Sequence, residues 1–477
     1  MTEHRRREFG DFQTPVALAR EICALLYQQG VRPKSIVEPT CGRGSFLAAS
    51  LEQFSTIDKV IGVDINPEHV CHAVESVQSG RPNIAARVIH GDFFKIDWRG
   101  ELADLPEPVL ILGNPPWVTN ATLGSMFSTN LPPKSNLHNH RGIDAITGKA
   151  NFDIAEWMLL HEMSCLDGRH GTLAMLCKTS TARKVLAFCW KNDYRIKEAA
   201  IHPIDAQKHF GAAVDGCLLI ATFSDEVGPP ECFVGSALCD SQVPSWFGLR
   251  EERLVAHLDS HDRWHHLFSP SFLRWRSGIK HDCTRVMELQ QENGCFQNGL
   301  GEFVDVEDTC LYPMYKSTEI SKGDLRAPTR WMIVPQRSVS EDTSALEEVA
   351  PRTWKYLADH ANFLDRRASS IYRKRARFAV FGVGDYTFCE WKVAVSALHK
   401  QPLFSAIGMY RNKPIVFDDT CYLLQCDSRT QAESIAEALN SPIVREALSS
   451  YVFWDSKRPI TTEVLNQLNL MAIAREL

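Results

Sequence analysis

The chain has 477 residues, 44% of them hydrophobic and 23% charged, with a net charge of −6. It is too apolar for disorder and too long for one ordinary core, so two domains are expected. No apolar run approaches the roughly 20 residues that span a bilayer, and the opening "MTEHRRREFG" lacks an apolar signal segment, which excludes a membrane-spanning class and points to the cytoplasm.

The first element is "FQTPVALAREI", where Thr14 is placed to cap, and Pro15 to start, a helix running to Gly30. Short apolar runs then alternate with amphipathic stretches. "SIVEPT", "KVIGVDIN", "ARVIHGDFF" and "PVLILGNPP" read as strands, and "GSFLAASLEQF" and "PEHVCHAVESVQ" as helices, the latter with Asn66 as N-cap and Pro67 at its first position. Continuous apolar strands separated by helices predict an α/β fold with a doubly wound, mainly parallel sheet. Ligands of such sheets bind at the carboxyl ends of the strands. The unusual residues fall there: Glu38, Asp64, Asp92 and Asn114 each stand where an apolar run stops.

"EPTCGRGSF" joins an acid to a turn whose Gly42 and Gly44 permit close backbone approach. The spacing is not GxGxxG, so the turn reads either as a nucleotide-binding turn or as a βα turn that simply needs glycine. Asp64 in "GVDINP" stands where ribose hydroxyls are gripped by a carboxylate. In "GDFF", Asp92 and its aromatics suit a purine. A lone acid at a strand end means little; three in succession mean more.

"GNPPW" ends the fourth run. The exocyclic amine of a nucleobase is a poor nucleophile because its lone pair is delocalised into the ring. Two acceptors, the Asn114 side-chain oxygen and the Pro115 carbonyl, would take its two N–H bonds and localise that pair. Pro115 and Pro116 fix φ and donate nothing, which aims a carbonyl outward. Trp117 offers a stacking face for a planar base. The plain alternative is a proline-terminated strand with a buried tryptophan.

In this order the four motifs resemble those of amino-group DNA methyltransferases that use S-adenosylmethionine, over roughly residues 9–223. The Thr-Pro element resembles the family's N-terminal motif. The short interval between Asp92 and Asn114 leaves no space for a recognition domain, which resembles the gamma type, whose members are mostly adenine-specific and belong to restriction–modification systems. The resemblance implies that Thr14, Pro15, Glu38, Pro39, Gly42 and Gly44 surround the methionine part of the cofactor, Asp64 its ribose, and Asp92 with Phe93 its adenine. It implies that Asn114, Pro115, Pro116 and Trp117 hold the target base, with Phe210 of "IDAQKHFGAAVDGCLLI" opposite Trp117. The family most often has Tyr or Phe after the second proline; Trp117 preserves the stacking face.

Residues 120–150 are polar and aperiodic and read equally as a segment that closes over substrate or as a surface loop. Their "HNH" string, with His138 and His140, is not a nuclease motif by itself. From Ser224 the βαβ rhythm stops. The expected organisation is a methyltransferase domain over 1–225, a connector over 226–260 and a C-terminal α+β target recognition domain over 261–477. "WRSGIKHDCTRVMEL" and "LDRRASSIYRKRARFAVFGVGDY" resemble C-terminal segments of restriction-system methyltransferases. In the second of these, Arg366, Arg367, Arg373, Lys374, Arg375 and Arg377 accumulate without an intervening acid, suited to phosphate contacts or else a solvated basic helix face.

"GDYTFCEWK" places Asp385 and Glu390 too close together for the strand–turn–strand of a metal nuclease, so any cognate restriction endonuclease is expected as a separate chain. The 15 cysteines are scattered without CxxC pairs and read as reduced core residues; no metal is expected. The sequence reads as a duplex-DNA adenine-N6 methyltransferase. N4-cytosine, RNA or protein glutamine as substrate, or a non-catalytic recognition subunit, are the alternatives.

Overall fold

In the computed structural model, which describes residues 13–118, 153–236, 238, 244–270 and 273–477 without the side chains of Ser370 and Lys374, the apolar runs become strands. They are β1 (Ser35–Glu38), β2 (Lys59–Asp64), β3 (Ala85–His90), β4 (Val109–Gly113) and β5 (Gly171–Lys178). Every residue of β4 is buried, which is why its sequence is a continuous apolar run and not an alternating one. β6 (Ile196–Ile204), β7 (Gly216–Phe223), β8 (Glu231–Val234), β9 (Ser245–Arg250) and β10 (Arg253–Val255) complete a ten-stranded sheet ordered β10-β9-β8-β6-β7-β5-β4-β1-β2-β3. From β3 to β5 the pairing is parallel, and β7 runs antiparallel between β5 and β6. The chain order reverses between β1 and β4, where a doubly wound sheet opens a crevice.

Helices cover both faces. α1 (Val16–Gln28), α2 (Ser45–Gln53) and α3 (Pro67–Gly80) share a core with Leu110 and Leu112 of β4 and Leu176 of β5. The alternate strand residues, Ile111 and Met175 among them, face the other side, the side of α5 (Ile154–Leu166) and α6 (Thr179–Lys191); α4 (Trp98–Ala103) is a single short turn. Asn66 caps α3 by accepting the Glu68 amide at 3.0 Å, with Pro67 in the first turn, as its sequence predicts. Thr14 does not cap α1. The helix begins at Val16 with Pro15 in the cap position and no side-chain cap bond, one residue later than expected.

The stretch 226–260 is not a connector. It supplies β8, β9 and β10, and the first compact unit extends to Leu258. β8 pairs in parallel with β6, covering backbone that would otherwise be an open sheet edge. The strands are short and interrupted by glycine and proline, so their alternation is weak in the sequence.

The second unit, Asp259–Leu477, is built on two larger sheets, with a two-stranded ribbon of Met409–Tyr410 and Lys413–Pro414 beside them in the chain. One has six strands, in the order Phe303–Val304, Cys295–Asn298, Glu288–Glu292, Arg330–Ile333, Leu311–Tyr315 and Val416–Phe417. The other has four, in the order Arg276–Ser277, Cys421–Cys426, Trp391–Ser396 and Ser405–Ile407, and packs with Arg429–Leu439 and Pro442–Ser449 around Val393, Leu424, Ala436 and Leu448. Pairing is mostly antiparallel, with helices inserted between strands in no βαβ rhythm, an α+β arrangement.

One of its helices, Pro351–Asp359, has Ala350 at its N-cap and therefore no local side-chain acceptor. Glu307 serves instead, accepting the amides of Arg352 (2.9 Å) and Thr353 (2.7 Å) and the Thr353 hydroxyl (2.5 Å). Burial acts to raise the Glu307 carboxyl, but these bonds outweigh it and hold the group at about 2. Glu307→Ala is expected to cost roughly 1–2 kcal/mol, as loss of a cap does. Because the folded value lies below that of the unfolded chain, the contribution is full above about pH 4.5 and disappears as pH falls toward 2. Melting of both proteins between pH 7 and pH 3 checks this: the gap in Tm should narrow with acid, and a constant gap would show that charge plays no part.

Candidate active site

The strand ends of the first unit converge. Glu38, ending β1, is 3% exposed and accepts the Leu47 amide of α2 at 3.1 Å. Burial pushes its carboxyl well above the ordinary range, and the neighbouring Asp64 adds to the shift. Such a group keeps its charge only with a cation against it. Asp64, ending β2, accepts the amides of Gly42 and Asn66, each at 2.8 Å, and lies 3.3 Å from His69. It therefore locks the glycine turn to the start of α3, and the oxygen that accepts from Gly42 has capacity for a further donor. Gly44 has φ +84, and a Cβ there would come within 2.9 Å of the Ala73 backbone; the close approach it permits is to α3. Gln13, which no sequence motif singles out, closes the turn from outside by accepting the Arg43 amide at 3.0 Å.

Asp92 accepts the Phe94 amide at 3.1 Å and faces Lys95 at 3.3 Å. Phe93 is buried, in contact with Trp98, Trp157 and His161. The half-buried rings beside Asp92 are Phe94, Trp157 and His161, the last two stacked at 5.2 Å. Trp157 and His161 lie four residues apart on α5, a helical spacing visible in the sequence that does not by itself distinguish a site from a core.

Asn114 follows β4, and its carbonyl accepts the Thr40 hydroxyl at 3.5 Å, which ties this turn to the end of β1 next door. The Trp117 indole donates to the Leu176 carbonyl at 3.2 Å. Its ring meets Phe210 edge-on, with centroids 5.5 Å apart and planes at 67°. The two residues are brought together as the sequence suggested, but they touch. A base between them needs roughly 7 Å between parallel faces, twice a van der Waals contact. Phe210 lies on the short helix α7 (Ala206–Phe210), which ends at Gly211.

Two charged residues that sequence reasoning missed join this turn. Lys178, the last residue of β5, donates to the Trp117 carbonyl at 3.2 Å and to Asp153 at 2.5 Å. Asp153 caps α5 through the Ala155 amide at 3.2 Å, and the Ile154 amide donates to the Val118 carbonyl at 2.9 Å. Burial pushes the Asp153 carboxyl above its ordinary value, against the pull of Lys178. The signals present in the sequence are an acid opening the apolar run of α5 and a lysine closing that of β5. Residues 120–150, including the "HNH" string, lie outside the described residues.

In the second unit the two segments singled out in the sequence meet: Lys280 and Phe381 exchange backbone bonds of 2.8 and 3.0 Å. Arg367 is not available for phosphate. Half-buried, it donates to the carbonyls of Leu364 and Ala379, both at 2.8 Å, and its guanidinium lies 3.7 Å over the Tyr372 ring. Arg377 faces Asp365 at 3.0 Å. Arg366, Arg373 and Arg375 are exposed, and the Lys374 side chain lies outside the described residues. The stretch contains a 3-10 turn, Ser370–Lys374, and not a regular basic helix. Lys392, in the "GDYTFCEWK" stretch, is buried, its ammonium pushed down to about 8 by burial and donating to the carbonyls of Thr387 and Ile415. Among the described residues no group of His, Cys, Asp and Glu could hold a metal ion, and no helix is long and apolar enough to cross a membrane.

A doubly wound sheet with acids at three successive strand ends and Asn-Pro-Pro-Trp at the fourth is the arrangement that the motif resemblance leads one to expect of an S-adenosylmethionine-dependent methyltransferase. The buried Glu38 suits a cofactor that carries positive charge. Comparison with known proteins agrees. The chain is 41% identical to the Type II methyltransferase M.NspV of Nostoc sp. over 474 residues, 99% of this chain and 98% of that one. It therefore belongs to the Type II restriction–modification methyltransferases, and S-adenosylmethionine is its cofactor. The Type II methyltransferase M.CvrRI of Paramecium bursaria Chlorella virus XZ-6E is 30% identical over 124 residues, 26% of this chain and 28% of that one. Among solved structures, the Type IIL restriction–modification enzyme MmeI in complex with DNA superposes with a TM-score of 0.61 at 12% identity, over 98% of this chain and 69% of that one, which is a likeness of fold. No protein-family model matches the chain.

Proposed function

We propose that the chain methylates the N6 amino group of adenine in duplex DNA, as the modification component of a restriction–modification system, and that any cognate endonuclease is a separate chain. The observation that carries this reading is Asn-Pro-Pro-Trp at the carboxyl end of β4, beside the strand ends of the cofactor crevice. S-adenosylmethionine supplies an electrophilic methyl group. The Asn114 side-chain oxygen and the Pro115 carbonyl accept the two N–H bonds of an extruded base and favour a localised lone pair. Thr40, bonded to the Asn114 carbonyl, braces that turn. Glu38, Asp64 and Asp92 address the methionine part, ribose and adenine of the cofactor, with Phe94 and Trp157 offering the accessible apolar faces near Asp92. The indole of Trp117, fixed by Leu176, stacks on the extruded base, and Phe210 gives up its edge contact to let the base enter. Proximity and preorganised acceptors carry the rate.

Incubating the protein with labelled S-adenosylmethionine and unmethylated plasmid DNA, then digesting to nucleosides, tests the reading. Label is expected in N6-methyladenine. Label in N4-methylcytosine would replace the base and keep the site; label only in RNA offered in parallel would replace the substrate.

A further inference from the structure

The Asn-Pro-Pro-Trp turn is poor in backbone donors. Pro115 and Pro116 have no N–H, which leaves only the Asn114 and Trp117 amides within it. β5 holds the chain beyond β4 from outside at two points. The Trp117 indole is bonded to the Leu176 carbonyl, two residues before the end of β5, and the Trp117 carbonyl is bonded to the side chain of Lys178, the last residue of that strand. Gly216 of β7, the register partner of Lys178, leaves room for the ring: a Cβ there would stand 3.0 Å from the indole. A second hydrogen of the Lys178 ammonium goes to Asp153, whose other oxygen caps α5.

We infer that Lys178 is a positioning residue for methyl transfer: by gripping the Trp117 carbonyl and Asp153 together it sets the direction in which the Pro115 carbonyl and the Trp117 ring face the target base. Lys178 acts through Trp117, whose carbonyl it holds. The inference rests on the reading that Asn114 and Pro115 hold the target amine. A displacement of about 1 Å in such a site lowers the rate by roughly 10²-fold.

A simple ion pair would also explain why Lys178 faces Asp153, so the test separates the two roles. Lys178→Met leaves Asp153 buried without its partner and is expected to lower both Tm and kcat. Lys178→Met combined with Asp153→Asn removes the stranded charge while asparagine still caps α5. The double variant of the full chain is expected to recover Tm, keep a kcat about 10- to 100-fold below wild type, and show KM for plasmid DNA and Kd for S-adenosylmethionine within about twofold of it. Recovery of wild-type kcat along with Tm would show that Lys178 serves only as the counter-ion of Asp153, and a loss confined to KM or to cofactor affinity would equally overturn the inference. Asn114→Ala, assayed in parallel, separates this from the underlying reading. Activity in Asn114→Ala removes the reading itself, whereas an inactive Asn114→Ala beside a fully active double variant removes only the role of Lys178.

Discussion

Asn114→Ala is expected to lower methyl transfer by at least about 10²–10³-fold, the usual effect of removing one preorganised polar group from a reacting centre. The side chain is one of two acceptors proposed for the target amine, and the remaining Pro115 carbonyl can polarise only one N–H. The substitution lies beyond the end of β4, outside the glycine turn and the acids of β1, β2 and β3, so the Kd for S-adenosylmethionine should stay within about twofold of wild type. It removes no methylene from the core that α1, α2 and α3 share with Leu110 and Leu112, and Tm should barely move. Single-turnover transfer of labelled methyl to plasmid DNA, with calorimetry for the cofactor, measures both quantities. Near-normal labelling by the folded variant would remove Asn114 from the chemistry.

The second large effect is expected at the basic stretch of the second unit. The geometry narrows the candidate residues. Arg366, Arg373 and Arg375 are exposed, Arg377 is engaged by Asp365, and Arg367 is built into the fold. Replacing Arg366, Arg373 and Arg375 together by Gln should weaken binding to target and unrelated duplexes alike. Each phosphate left without its arginine should flatten the slope of log affinity against log salt by about 0.9. Cofactor affinity and Tm should not change. Arg367→Ala should do the reverse and lower Tm, since it strips partners from the Leu364 and Ala379 carbonyls and the stacking from Tyr372. An unchanged salt slope in the folded triple variant would mean that these arginines only solvate the surface and that DNA is gripped elsewhere.

Much of the first unit was legible because its signals are local. The apolar run of β4, the Asn66 cap with Pro67 behind it, and acids placed where strands stop all lie within a few residues of the structure they specify, and the parallel sheet arises from the rhythm of strand and helix. The resemblance of motif order then supplied the cofactor and the broader class, a restriction–modification DNA methyltransferase, which the full-length similarity to M.NspV supports; the gamma, adenine-N6 subclass stays part of the proposal.

The tertiary structure decided matters whose partners are far apart in the chain. That residues 226–260 extend the sheet depends on the open edge of β6, which no local pattern describes. Phe93 and Phe94 are identical in type, and only tertiary packing, against Trp98, Trp157 and His161, buries the first while its neighbour stays half-exposed. Arg367 and Arg375 are equally basic in sequence, yet Arg367 is enclosed by the carbonyls of Leu364 and Ala379 and Arg375 faces solvent. Lys178 and Asp153 are ordinary strand-end and helix-cap residues until β5 and α5 bring them to the Trp117 carbonyl, just as Glu307 becomes a cap only when folding carries it to Arg352 and Thr353. Periodicity and capping encode which elements form, because both act over one or two turns of chain. Which charged side chain meets which backbone group is set by burial, since a polar atom withdrawn from water must find its partner wherever the packed elements place one.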